Sequence, residues 1–246
     1  MSNLGYTWGT ALQVAYPEHQ IYHRGDADMA VGYFSATTTV EVESHADAAV
    51  GVSRRRILKL SQNIFGDVTF PDIGPTTMTP YVENFQGGTH SRPGEKQRAI
   101  EQAKTVHPDR LVIVLVELTY PMREGVVPGG FDNGQEKRFF LSGGPDPVYW
   151  WPGWGGCSTM VIPGNNCGLR SVVNDYRTWV SQFTEGDADD LLEIGLDLRR
   201  LREVAAEGKV YGYIDTLRGR DELLDLLELP VIRIAHVLER VPEIGD

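Results

Sequence analysis

Eight consecutive residues, Leu111–Leu118 (LVIVLVEL), constrain this chain of 246 residues more than any other segment. The run is rich in β-branched side chains and contains no Gly or Pro. Such a continuous apolar run is typical of a central strand, covered on both faces. Shorter runs with the same texture occur earlier, at Ala11–Val14, Gln20–His23, Gly32–Val42 and Asp67–Phe70, and are read as strands. Gly32–Val42 is rich in Tyr, Phe, Thr and Val, which suit a pleated, half-buried surface. Arg138–Leu141 is a further strand, closed by Ser142-Gly143-Gly144-Pro145. The 27 Gly and 14 Pro that break up these runs argue against a plain helical bundle.

Helical signals sit between and after the strands. Ser91-Arg92-Pro93-Gly94-Glu95 reads as a helix start, with Ser91 as cap, Pro93 in the first turn and Glu95 at the positive end of the dipole. Ala99, Ile100, Ala103 and Val106 follow at helical spacing until His107-Pro108-Asp109. Leu169, Val172, Val173, Tyr176, Trp179, Val180 and Phe183 trace one apolar helical face. Asp187 is placed to cap another helix, with Leu191, Ile194, Leu198, Leu201 and Ala205 inward and Gly208 at its end. Lys209–Thr216 and Val231–Leu238 read as strands flanking an acidic helix over Arg220–Glu228. The fold class is therefore α+β: a twisted, mainly antiparallel β-core over 1–155, then an acidic helical segment with closing strands over 156–246, packed on that core.

Charge narrows the function classes. Lys+Arg 23 against Asp+Glu 34 leaves a net −11, and residues 181–246 alone hold 16 acidic and 8 basic residues. A surface of that sign repels phosphate backbones, which disfavours duplex nucleic acid and anionic membranes as partners. No segment near Met1 has the basic start and apolar core of a signal peptide, and no apolar run reaches the ~18 residues of a membrane helix. The expectation is a soluble protein made in the cytoplasm, with export by a signal-free route left open. The phosphate-loop, dinucleotide-fingerprint, HExxH and GxSxG motifs are missing, and the six His lack metal-ligand spacing. Arg54, Arg55 and Arg56 form the one three-residue basic run, read either as a solvated edge or as a phosphate-contacting patch.

A more specific pattern comes from three segments in order: Tyr22-His23-Arg24-Gly25-Asp26, then Thr89-His90-Ser91, then Gln135-Glu136-Lys137-Arg138 ahead of Gly143-Gly144. Over about Gln20–Trp151 this resembles the ADP-ribosyltransferase toxins of the cholera/pertussis enterotoxin class, whose core reads Arg, Ser-Thr-Ser, Glu. The resemblance implies a mono-ADP-ribosyltransferase or an NAD glycohydrolase-like protein, with NAD as substrate and, for a transferase, an acceptor such as a protein for the ADP-ribose. It implies Glu136 as the carboxylate that stabilises a cation-like ribose, Ser91 or Thr89 as the group that orients it, and Arg24 as a clamp on the pyrophosphate. Tyr22 and Tyr149 are the aromatic residues for stacking on a flat ring. Where many members of that class carry a second Glu, this chain has Gly134 and Arg138.

Two further readings stand beside it. Cys167 follows Asn165-Asn166 at the start of the amphipathic helix, where a dipole favours the thiolate, and His236 lies downstream. This order resembles that of papain-like cysteine hydrolases, with Asn165 or Asn166 as oxyanion donor. The sequence beyond His236 offers little room for a third, orienting residue. Cys157 and Cys167 are alternatively a disulfide, or Cys167 a packing residue behind the helix cap. The third reading is a non-enzymatic interaction protein of a phage or toxin system. Trp150, Trp151 and Trp154 either line a ligand cleft or fill the space between strand and helix layers.

Overall fold

The computed structural model describes residues 4–23, 30–44, 55–76, 78–128, 137–144, 147–151 and 171–240. Two antiparallel sheets and seven α-helices among these residues make the chain an α+β protein. It divides into two compact units that interleave along the sequence. One comprises Met1–Thr77 and Tyr176–Glu207, the other Met78–Asp175 and Gly208–Asp246. This differs from a single boundary near residue 155, because strands from the C-terminal third pair with Leu111–Met122. No helix among the described residues is long and apolar enough to cross a membrane.

The first unit begins with helix α1 (Leu4–Ala15), not with the strand expected at Ala11–Val14. The reason is burial on all sides: Leu4, Trp8, Ala11 and Leu12 are enclosed, and so are Thr7, Thr10 and Gln13. A helix satisfies its own backbone, so it can sit inside a core where an isolated strand cannot. Strands β1 (His19–His23), β2 (Ala30–Val31), β3 (Ser35–Ser44), β4 (Arg56–Asn63) and β5 (Val68–Thr69) form its sheet, in the order β1-β3-β4-β5 with β2 also on β3. The Gln13 amide ties α1 to the sheet, since Nε2 donates to the His19 carbonyl at 2.6 Å and Oε1 accepts from the Ile21 N–H at 2.8 Å. Trp8 packs edge-on against Phe70 and Phe183 at 5.6 and 5.2 Å. Burying a ring of that size, on the order of 200 Å², contributes about 5 kcal/mol before entropy is counted.

The later helices of this unit depart from the sequence reading at one point. The run after Asp187 is two helices, α5 (Ala188–Glu193) and α6 (Leu198–Glu207), because Gly195 at φ 81° turns the chain between them. Asp187 joins Thr184 in a capping box on the preceding turn, and its side chain makes no cap bond to α5. Helix α4 (Val172–Val180) runs across the division between units.

The second unit is built on strand β6 (Leu111–Met122). With β7 (Arg138–Phe140), β8 (Tyr149–Trp150), β9 (Val210–Arg218) and β10 (Ile232–Arg240) the sheet order is β10-β6-β9-β7-β8. Leu111–Leu118 is thus interior, flanked by β10 and β9, as its sequence predicts. Helices α2 (Thr79–Glu83), α3 (Glu95–Ala103) and α7 (Gly219–Glu228) complete the unit. The cap of α3 is not Ser91. Gly94, at φ 75°, occupies the cap position, and the Glu95 carboxylate accepts the Arg92 N–H at 2.9 Å. Trp150 and Trp151 are buried in this unit, so they fill its core.

Candidate functional site

Within the second unit, β6 and β10 bring three ionisable side chains together on one sheet face, and Glu95 of α3 reaches them. Directly opposed residues of antiparallel strands share a face, so Glu117 stands beside Ile234 and Leu115 beside His236. Between Ile232 and Ile234 the register shifts, and Arg233 is the extra residue of a bulge. A bulge re-aims the side chain it carries. The Arg233 guanidinium accordingly reaches Glu117, with Nη1 donating to Oε2 at 2.7 Å. Its Nη2 donates to both oxygens of Glu95, at 3.0 and 2.9 Å, and to Gln86 Oε1 at 3.1 Å. Nε of this arginine has no acceptor among the described residues.

Glu117 is 1% exposed, and a carboxylate held that far from water needs donors around it. Three are present. Arg233 Nη1 and the Gln86 N–H, at 3.1 Å, both address Oε2, while His236 Nε2 lies 3.1 Å from Oε1. An ionised carboxylate only accepts, so His236 Nε2 is the donor in this pair. The imidazole itself is part exposed, at 29%, and Nδ1 has no partner among the described residues. The ring of Tyr81, on α2, leans against it with centroids 5.7 Å apart and planes at 51°.

Gly212 explains how Gln86 reaches this carboxylate. It pairs with Glu117 across the sheet, and a Cβ there would meet the Val116 carbonyl at 2.3 Å and the Phe85 ring at 2.8 Å. The bare glycine leaves room for Phe85, which stacks on Phe140 at 4.5 Å. With that ring seated and the Gly88 N–H donating to the Leu118 carbonyl at 2.8 Å, the 85–88 loop is fixed along β6. The Gln86 amide is then aimed at Glu117.

The residues proposed from sequence are distributed differently. Arg24, Glu136, Cys157, Asn165, Asn166 and Cys167 lie outside the described residues. Ser91 is exposed on the loop leading into α3. Thr89, on the same loop, donates its hydroxyl to the Gln86 carbonyl at 2.7 Å. Tyr149 is fully buried and edge-on to Phe140 at 5.6 Å, so its ring serves the core and offers no face for stacking on a ligand. Tyr22 belongs to the first unit, where the Arg55 guanidinium lies 5.0 Å from its ring centre. Arg55 also pairs with Glu41 and Glu43, and Arg56 donates to the Ile73 carbonyl. These partners make both arginines fixtures of their own sheet, while Arg54 lies outside the described residues. Arg138 lies over the Trp151 ring at 5.7 Å.

His236 was the one member of the β6–β10 cluster that sequence reasoning singled out. Glu117 and Arg233 were missed, although Glu117 interrupts the apolar run Leu111–Leu118 and Arg233 stands between two isoleucines. Charged residues are almost never fully buried without a partner, so a charge inside such a run is a signal for a buried pair. Among the described residues no group of three His, Cys, Asp or Glu is placed to hold a metal ion. In comparisons with known proteins, no family model, no curated protein and no solved structure matches the chain.

Proposed function

We propose that the chain is a hydrolase in which His236 is the general base, Glu117 orients it, and the Cys167 thiol is the nucleophile. One observation carries the reading: the 3.1 Å contact of His236 Nε2 with the buried carboxylate of Glu117, which leaves Nδ1 of a part-exposed ring to take a proton. The carboxylate that contacts His236 comes from β6, upstream in the chain, and this supports the reading. A carboxylate on one ring nitrogen fixes the tautomer and stabilises the imidazolium formed when the other nitrogen is protonated.

The chemistry follows from those roles. Nδ1 takes the thiol proton, the thiolate adds to a carbonyl carbon, and the bond to the leaving group breaks as that proton is returned to it. Water then attacks the thioester with the same base, restoring the thiol. A burst of p-nitrophenol from p-nitrophenyl acetate tests this. The burst is expected in the wild type and lost in folded Cys167→Ala and His236→Ala. A burst that survives both substitutions refutes the reading.

The NAD-consuming reading, with Arg24, Ser91 and Glu136, is the second one. Ser91 is exposed on its loop, and Arg24 and Glu136 lie outside the described residues. Its test is nicotinamide release from NAD, compared between wild type and Glu136→Gln. Release that Glu136→Gln abolishes, with no ester burst, would put this reading first.

A further inference from the structure

We infer that Arg233 is a positioning residue for His236, acting through Glu117 by dictating which carboxylate oxygen faces the imidazole. The inference rests on the reading of His236 as general base, but its geometry is separate from the identity of the nucleophile. Oε2 of Glu117 has two donors, Arg233 Nη1 at 2.7 Å and the Gln86 N–H at 3.1 Å. An sp² oxygen has two lone pairs, so this atom is filled. Oε1 has a single donor among the described residues, His236 Nε2 at 3.1 Å. The carboxylate therefore cannot turn without breaking a charge-assisted bond, and one oxygen is reserved for the histidine.

The arginine is itself held from the other side. Nη2 spans both oxygens of Glu95 and also Gln86 Oε1. A lysine, as a single point charge on a flexible stem, cannot join Glu117 and Glu95 in that way. The bulge at 232–234 supports the assignment independently, since without its extra residue the pairing would not bring Arg233 to the face of Glu117. Glu95 stands at the first turn of α3, so the helix, the 85–88 loop and both strands all converge on the orientation of one carboxylate.

An isosteric substitution tests this sharply. In Glu117→Gln, Arg233 and the Gln86 N–H both still require an acceptor at the Oε2 position. The amide oxygen must then sit there, and the amide NH₂ is turned toward His236. Nε2 becomes an acceptor and the ring switches to the Nδ1–H tautomer. Nitrogen chemical shifts of ¹⁵N-histidine-labelled protein at pH 8.5, where an ordinary imidazole is neutral, read the tautomer directly.

The wild type is expected as Nε2–H and Glu117→Gln as Nδ1–H. In the ester assay the same variant is expected to lose about 10⁴ in kcat with KM unchanged, as a wrong tautomer does in a triad enzyme. A folded Glu117→Gln protein that keeps Nε2–H overturns the inference, because the amide has then turned freely despite Arg233. Should that variant fail to fold, Arg233→Met decides through the exchange of the Nε2 proton with water. Acceleration of about tenfold or more supports the positioning role, and unchanged exchange overturns it. Because the tautomer is read without turnover, an inactive hydrolase assay leaves this inference standing.

Discussion

His19 should make the stability of the first unit depend on pH between roughly 4 and 6.5, and the size of the effect follows from its surroundings. The residue opens β1 at 3% exposure, its carbonyl is taken by Gln13, and its Nδ1 has no partner among the described residues. Burial, aided by the charge of Arg56, lowers its pKa from 6.5 to about 4. The unfolded chain therefore binds a proton that the folded chain refuses. Stability is complete above pH 6.5 and falls as the pH drops toward 4. At ~1.36 kcal/mol per pH unit the full loss is about 3 kcal/mol, of which about 2 kcal/mol is gone by pH 5. The assay is urea unfolding at pH 7.5 and pH 5.0, followed by tryptophan fluorescence, for wild type and His19→Gln. With a slope of ~1–3 kcal/mol per molar urea, the wild-type midpoint should fall by roughly 1 M more than that of the variant. Other groups titrating in this range are common to both proteins and drop out of the difference. An equal fall in both proteins, or a His19 resonance titrating near pH 6.5, would refute the argument.

Backbone geometry and the buried pairs lead to further expected outcomes. Gly219 has φ 73° and a Cβ there would lie 1.5 Å from the Pro108 carbonyl oxygen, so Gly219→Ala should lose about 3 kcal/mol or more in thermal unfolding. Gly94 has nearly the same φ but open space around it, and Gly94→Ala should lose only about 1–2 kcal/mol. Arg233→Ala removes one partner of a buried pair and should lose about 3–5 kcal/mol by chemical denaturation, more than Arg55→Ala, whose partners it meets from an exposed position. Trp179→Phe removes the Nε1–H that the Thr7 carbonyl accepts at 3.0 Å in addition to its bond within α1, and should lose about 0.5–1.5 kcal/mol for that hydrogen bond, with the loss appearing in the melting temperature.

Much of the second unit was legible in the sequence because its elements carry their own periodicity. Leu111–Leu118, Val231–Leu238 and the acidic helix before it were each read close to their positions. Residues 11–14 were not, since Ala-Leu-Gln-Val is too short to distinguish a buried strand from the end of a helix, and α1 owes its form to enclosure by the rest of its unit. The site divided in the same way. His236 was recognisable as a residue type suited to proton transfer. Its partnership with Glu117 joins positions 119 apart and depends on strand register, which a one-residue slip would reverse. Arg233 faces Glu117 through a bulge, a backbone event with no residue signature of its own at Ile232–Ile234. Tyr149 misled for a related reason, as an aromatic is equally at home in a core and on a ligand.

The interleaving of the two units has a consequence during synthesis. Strand β6 is made about 90 residues before β9, and both of its sheet partners come from the 210–240 segment. The first unit, too, is completed only by residues 176–207. At ~5–20 residues per second, on the order of 5–20 seconds pass between the synthesis of LVIVLVEL and that of the first strand that pairs with it. Neither core can close from the N-terminus forward. Both cores form in the same late interval, and until then LVIVLVEL is an unpaired apolar strand of the kind that is prone to aggregate.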